Sequence, residues 1–128
     1  MFEKLELTRM AQAMASNAGA RLGLIAQNVA NADTPGYKAM DLPDFAESYH
    51  SGGGMGMRAS RPGHLGNAVD SPQPQARQTK GASGPNGNSV SLEQEMVRAA
   101  SVRQDHEMAL AVYRNTSDII RASLGRSR

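Results

Sequence analysis

The sequence predicts an all-α protein in which long N- and C-terminal helices pack as an α-helical hairpin or coiled coil, joined by a flexible Gly/Pro-rich middle segment. Three observations carry this. Residues 3–31 contain no proline and place apolar residues at spacings of three and four. A second periodic stretch runs from Ser91 to Leu124. Between them, residues 50–88 hold nine glycines and four prolines. The chain therefore divides into 1–49, 50–88 and 89–128. Its 128 residues are enough for one domain. Large core residues are scarce: Phe2, Tyr37, Phe45, Tyr49 and Tyr113 are its only aromatics, and there is no tryptophan.

The first helix carries the stripe Leu7, Met10, Met14, Ala18, Leu22, Ile25, Val29 and Ala32. Alternating large and small members suit close approach to another helix. Gly19 and Gly23 weaken its middle, each by about 1 kcal/mol relative to alanine. Asn17, Asn28 and Asn31 lie beside the stripe. Two readings of these amides stand: hydrogen bonds across the seam that fix register, or simple solvation.

The stretch Leu24 to Lys38, LIAQNVANADTPGYK, ends that helix and turns the chain. Pro35 drives Thr34 out of the α region, and its fixed φ suits the second position of a tight turn. Gly36 supplies the positive φ that a type II turn needs at its third position. The turn motif thus comprises Asn31, Asp33, Thr34, Pro35, Gly36 and Tyr37. After it, Met40, Leu42, Phe45 and Tyr49 are placed for a small satellite contact, with Pro43 interrupting any continuous helix.

Residues 50–88 include Gly52-Gly53-Gly54 and Pro72-Gln73-Pro74, with few large apolar side chains. Such a segment cannot bury enough area to offset its ordering entropy, so it is expected to be loose in the free chain. Leu65 and Val69 mark a possible short strand on assembly.

Ser91 opens the second helix, with Gln94 at capping-box spacing. Glu93 and Glu95 complement the positive end of the helix dipole and Arg121 the negative end. A seven-residue seam is traced through Leu92, Met96, Ala99, His106, Leu110, Tyr113, Ile120 and Leu124, with Arg103 and Ser117 at its remaining positions. Val102, Ala109, Val112 and Ile119 widen that face, and Gly125 is placed as its stop.

Composition bounds function. The net charge of +2 divides into about −2 over 1–47, +3 over 48–90 and +1 over 91–128, blocks too small for a phosphate-tracking surface. A small nucleic-acid-binding helical protein remains the alternative class. Against it, Arg58, Arg61, Arg77 and Lys80 have no interleaved aromatics for stacking. Absent cysteine removes disulfides, thiolate chemistry and cysteine-ligated zinc. His50, His64 and His106 lack metal-ligand spacing, and Glu93 and Glu95 point to different helix faces. The Gly52–Gly54 run lacks the lysine and hydroxyl of a phosphate loop. No enzyme, cofactor or small-molecule substrate is expected. No apolar run approaches the roughly 20 residues that span a bilayer, and Glu3 and Glu6 argue against a cleaved signal peptide.

Asn28-Val29-Ala30-Asn31-Ala32-Asp33-Thr34-Pro35-Gly36-Tyr37-Lys38 closely resembles the motif closing the N-terminal helix in bacterial flagellar rod and hook proteins. With Asp41 and the segment Ser89 to Met96, the chain looks most like the proximal members of the basal-body rod family. The resemblance covers roughly residues 5–47 and 88–124. It departs at His106, where the family usually has tyrosine, and at Ser91, where aspartate is common. It implies a structural, torque-transmitting component of the proximal rod; another rod or rod-junction protein of the same apparatus is the alternative. Implied partners are copies of the chain, other rod proteins, the rod-base adaptor, the membrane-embedded ring and the flagellar type III export apparatus. The implied location is the rod within the periplasmic space, reached without a cleaved signal peptide. Under this reading the assembly interface comprises Leu7, Met10, Met14, Leu22, Ile25, Val29, Met96, Leu110, Tyr113, Ile120 and Leu124.

Overall fold

The structure is a computed structural model and describes residues 2–51 and 75–125. Helix α1 (Phe2–Ala30) is followed by strand β1 (Met40–Asp41) and a short helix α2 (Phe45–Ser51). Strand β2 (Arg77–Gln78) and helix α3 (Leu92–Ser123) complete the elements of the described residues. The expected all-α hairpin is observed. The late residue Asn28 of α1 bonds to Glu95 in the first turn of α3, so the two long helices run antiparallel.

On α1 the fully inward line is Ala11, Ala18 and Ile25, seven residues apart, with Asn17 and Asn28 beside it. Met10, Met14 and Leu22 are half-buried, while Leu7 and Val29 are 40% and 42% exposed. The core cluster joins Ala18 and Ile25 to Val102, with Leu22 and Ala99 packed against it. Burying one isoleucine contributes roughly 1.5–3 kcal/mol, so this cluster alone is a thin foundation. Asn17 makes it thinner. Its side-chain nitrogen is buried with no hydrogen-bond partner among the described residues.

The inward line of α3 differs from the expected seam. Glu95, Val102, Ala109 and Thr116 are buried, one residue before Met96, Arg103, Leu110 and Ser117. Met96 is 72% exposed and Leu124 68% exposed; Leu92 and Tyr113 also face outward. Ala99, His106, Leu110 and Ile120 are half-buried. The physical reason lies on α1, whose alanine line admits close approach only by small side chains. Bulky residues at the contact would hold the axes apart. The repeat of seven was legible, but its phase was not.

Two further expectations are corrected. Ser91 occupies the N-cap position with extended backbone, yet its hydroxyl makes no capping bond. The chain's approach to α3 is instead set by Ser89, whose N–H donates to the Tyr37 carbonyl and whose hydroxyl accepts from Ala39 N–H. Residues 75–88, expected within the loose segment, take defined positions. Strand β2 pairs antiparallel with β1 in the register Met40↔Gln78 and Asp41↔Arg77, and Thr79 N–H donates to the Ala39 carbonyl. Hydrogen bonds, not apolar burial, order this part, which is why hydropathy did not reveal it. The possible strand at Leu65 and Val69 lies outside the described residues.

The satellite contact is present in part. Leu42 is buried, Met40 is half-buried, and the rings of Phe45 and Tyr49 pack 5.3 Å apart within α2. Pro43 separates β1 from that helix. At the other end α3 stops at Ser123, and Gly125 follows with a φ of +78°.

Candidate functional site

Among the described residues, polar contacts are concentrated where α1 ends, the turn follows, and the 79–91 segment crosses it. Tyr37 N–H donates to the Thr34 carbonyl at 3.3 Å, closing the expected turn, and Gly36 takes a φ of +76°. Asn31 bonds back to the Gln27 carbonyl, and its side-chain oxygen accepts from the Thr34 hydroxyl. Asp33, Thr34, Pro35 and Gly36 are exposed and Tyr37 is half-buried.

Asn88 completes what the turn leaves open. Helix ends carry carbonyls without intrahelical partners. Just past the end of α1, the Asn88 side-chain nitrogen donates to three carbonyls of the turn region, on Asn31, Ala32 and Thr34, at 3.0, 2.7 and 2.9 Å. Its side-chain oxygen accepts from Val90 N–H at 2.8 Å. Gly36 N–H donates to the Asn86 carbonyl, and Lys38 donates to the Ser83 hydroxyl and the Gly87 carbonyl. The turn is therefore clasped along its length by residues 83–90.

Asn28 sits beneath the clasp and is wholly buried. Its nitrogen donates to the Met40 carbonyl at 2.8 Å and to Glu95 Oε2 at 3.1 Å. Its oxygen accepts from Met40 N–H at 3.0 Å and from the Tyr37 hydroxyl at 3.4 Å. One amide thus joins α1, the post-turn strand and α3, using its whole hydrogen-bonding inventory. Of the two readings open for Asn28, the cross-seam bond is the one observed. Glu95 is 1% exposed, and its other oxygen accepts from Arg98 at 2.8 Å. A buried carboxylate is tolerated only with such partners.

Arg21 anchors the same region from the side. Its guanidinium makes a two-pronged contact with Asp41, at 3.1 and 3.0 Å, and reaches Asp44 at 2.8 Å. The Asp41 hydrogen bond raises the Arg21 pKa against the opposing effect of burial, with both carboxylates adding attraction. The raised pKa makes this contribution complete at neutral pH, to be lost only under strongly alkaline conditions.

Sequence reasoning found the turn and flagged Asn28, but missed Arg21, Asn88 and the partnership of Glu95. The one available signal was that Asn88, Glu95, Val102, Ala109 and Thr116 are spaced by sevens. Among the described residues no group of three His, Cys, Asp or Glu side chains is placed to hold a metal ion. No described helix is long and apolar enough to cross a membrane.

This geometry makes a specific prediction for Gly36. A side chain there would meet open space, so its cost is backbone strain alone. Gly36→Val should lose about 1–3 kcal/mol of stability. Pro35→Ala should lose under about 1 kcal/mol. Urea denaturation followed by circular dichroism compares them; equal, negligible shifts would make the turn a passive loop.

Comparison with known proteins bears on the same region. The family model described as flagella basal body rod protein matches residues 7–38, which is most of α1 together with the turn. The chain is also 27% identical over 111 residues to the flagellar basal body rod protein FlgB of Agrobacterium fabrum (strain C58), covering 83% of each chain. That likeness extends well beyond the matched motif. The helix, the turn that closes it and the likeness over 111 residues together make this chain similar to flagellar basal body rod proteins, FlgB among them.

Proposed function

We propose that this protein is a structural subunit of the flagellar basal-body rod, and that it builds the proximal part that passes torque from the membrane-embedded base to the distal rod and hook. The carrying observation is that the family-matched residues 7–38 coincide with the helix and turn held by the Asn28 and Asn88 clasp. The chemistry at this site is positional: it holds a hairpin in shape. We read the protein as structural rather than enzymatic. Its partners under this reading are copies of itself, other rod proteins, the rod-base adaptor, the membrane ring and the type III export apparatus. Its place is the rod, within the periplasmic space.

The residues assigned to assembly fall into two groups. Ile25 is buried and Leu22 half-buried inside the hairpin, while Met96, Tyr113 and Leu124 are exposed on α3. Val97, Met108 and Ile119 add to the exposed apolar surface of that helix. Exposed apolar side chains of this kind suit burial against other subunits. Leu7 and Val29 supply them on α1, and Met10, Met14, Leu110 and Ile120 border the two groups.

The test separates folding from assembly. Met96→Asp with Ile119→Asp should leave the hairpin's helical content unchanged, since both positions are open to solvent. The same variant should fail to co-purify with the rod and its base after normal export. Normal incorporation would overturn the assignment of this surface.

A further inference from the structure

The seam between the two helices does not fix its own alignment. On α1 its line is Ala11, Ala18 and Ile25; on α3 it continues through Val102, Ala109 and Thr116. Both lines step by seven and consist mostly of small side chains. Sliding one helix past the other by one heptad moves it about 10 Å and again sets small residues against small ones.

Ahead of Val102 stand two buried polar residues in a fixed chemical order, Asn88 in the segment leading into α3 and Glu95 in its first turn. Asn88 presents a donor to the carbonyl oxygens of the turn. Seven residues later, Glu95 presents an acceptor to the Asn28 amide that can fill it. We infer that Asn88 and Glu95 act together as a register key, which selects one heptad alignment of the hairpin and rejects its neighbours.

The rejection follows from what each slip would juxtapose. Slide α3 so that Glu95 takes the place of Asn88, and its carboxylate faces the carbonyls of Asn31, Ala32 and Thr34, acceptor against acceptor. Slide it the other way, and Glu95 lands beside Ile25 and Ala18, an unpaired charge in the apolar cluster. Only the observed alignment matches donor to acceptor at both positions. A buried polar residue that selects register at some cost in stability is a known device of paired helices. Here register also decides which exposed α3 residues lie level with which part of α1, and hence the shape of the surface a subunit offers.

The absence of cysteine makes a direct test possible in the full-length chain. Three cysteine pairs report alignment by disulfide closure at high dilution. Ala18→Cys with Val102→Cys reads the observed register. Ala18→Cys with Thr116→Cys, and Ala11→Cys with Val102→Cys, read the two slips, since in the observed alignment each pair is offset along the helices by roughly 15 Å, beyond disulfide reach. Each pair is placed in four backgrounds: unchanged, Glu95→Leu, Glu95→Leu with Asn88→Ala, and the control Glu93→Leu at an exposed position of the same turn. Peptide mapping gives closure, and circular dichroism gives helical content.

The unchanged chain and the Glu93 control should close the observed pair almost alone. Glu95→Leu should raise slipped closure about tenfold with helical content kept, and the double variant should raise it further. Slipped products at comparable yield in the unchanged chain would overturn the inference. So would exclusive native closure in the double variant. Loss of helical content in Glu95→Leu without slipped product would assign Glu95 to stability and also overturn it.

Discussion

Ile25→Asp unfolds the hairpin. Ile25 is 5% exposed and packs with Ala18 and Val102 in the interhelical core cluster of the described residues. Aspartate there removes the largest apolar side chain of that cluster and leaves an unpaired carboxylate in its place. Effects of that kind exceed about 4 kcal/mol, a large share of the total stability of a small domain. Helical content measured by circular dichroism should collapse, and incorporation into the rod should be lost with it. A variant that keeps its helix content and urea midpoint would mean that the seam is not where the hairpin's stability resides. The contrast with Met96→Asp is informative, because that position is 72% exposed. One substitution removes the subunit; the other leaves it folded and removes its outward contact.

Asn28→Ala should be nearly as severe. Truncation strands the Met40 N–H and carbonyl and takes one partner from the buried Glu95 carboxylate. Removing one member of a buried hydrogen-bonded charged group costs about 3–5 kcal/mol. Asn31→Ala is the internal control, for its bonds to Gln27 and Thr34 are exposed, and it should cost under about 1 kcal/mol. Chemical denaturation of both variants decides it. Equal destabilisation would show that Asn28 is no more than another polar residue near a helix end.

These two residues also mark how far sequence reading reaches. Ile25 was legible because apolar periodicity is a local property, and any helix that buries a face must display it. The turn was legible because Pro35 and Gly36 constrain φ through their own covalent structure. Asn28 was legible only as a question, since an amide beside a stripe bonds or is solvated according to what stands opposite. Glu95 was hidden altogether. A carboxylate in the first turn of a helix is explained by the dipole, and nothing local distinguishes it from Glu93, which is exposed. The phase of the α3 seam failed for a related reason. Counting large residues picks Met96 and Leu110, whereas the alanine line of α1 selects small partners and Asn28 selects an acid. Phase belongs to the pair of helices, and no single helix encodes it.

The pairing of Met40 with Gln78 and Asp41 with Arg77 has a consequence for how this chain can change in length. The chain leaves this two-residue ladder at Asp41 and rejoins it at Arg77, so the stretch between them is a detour with adjoining ends. Lengthening such a detour moves neither α1 nor α3. In closure entropy, doubling it costs only about 0.6 kcal/mol. The two-residue ladder works as a gatepost: extra chain, even a whole folded module, can hang from this point while the helices below keep their alignment.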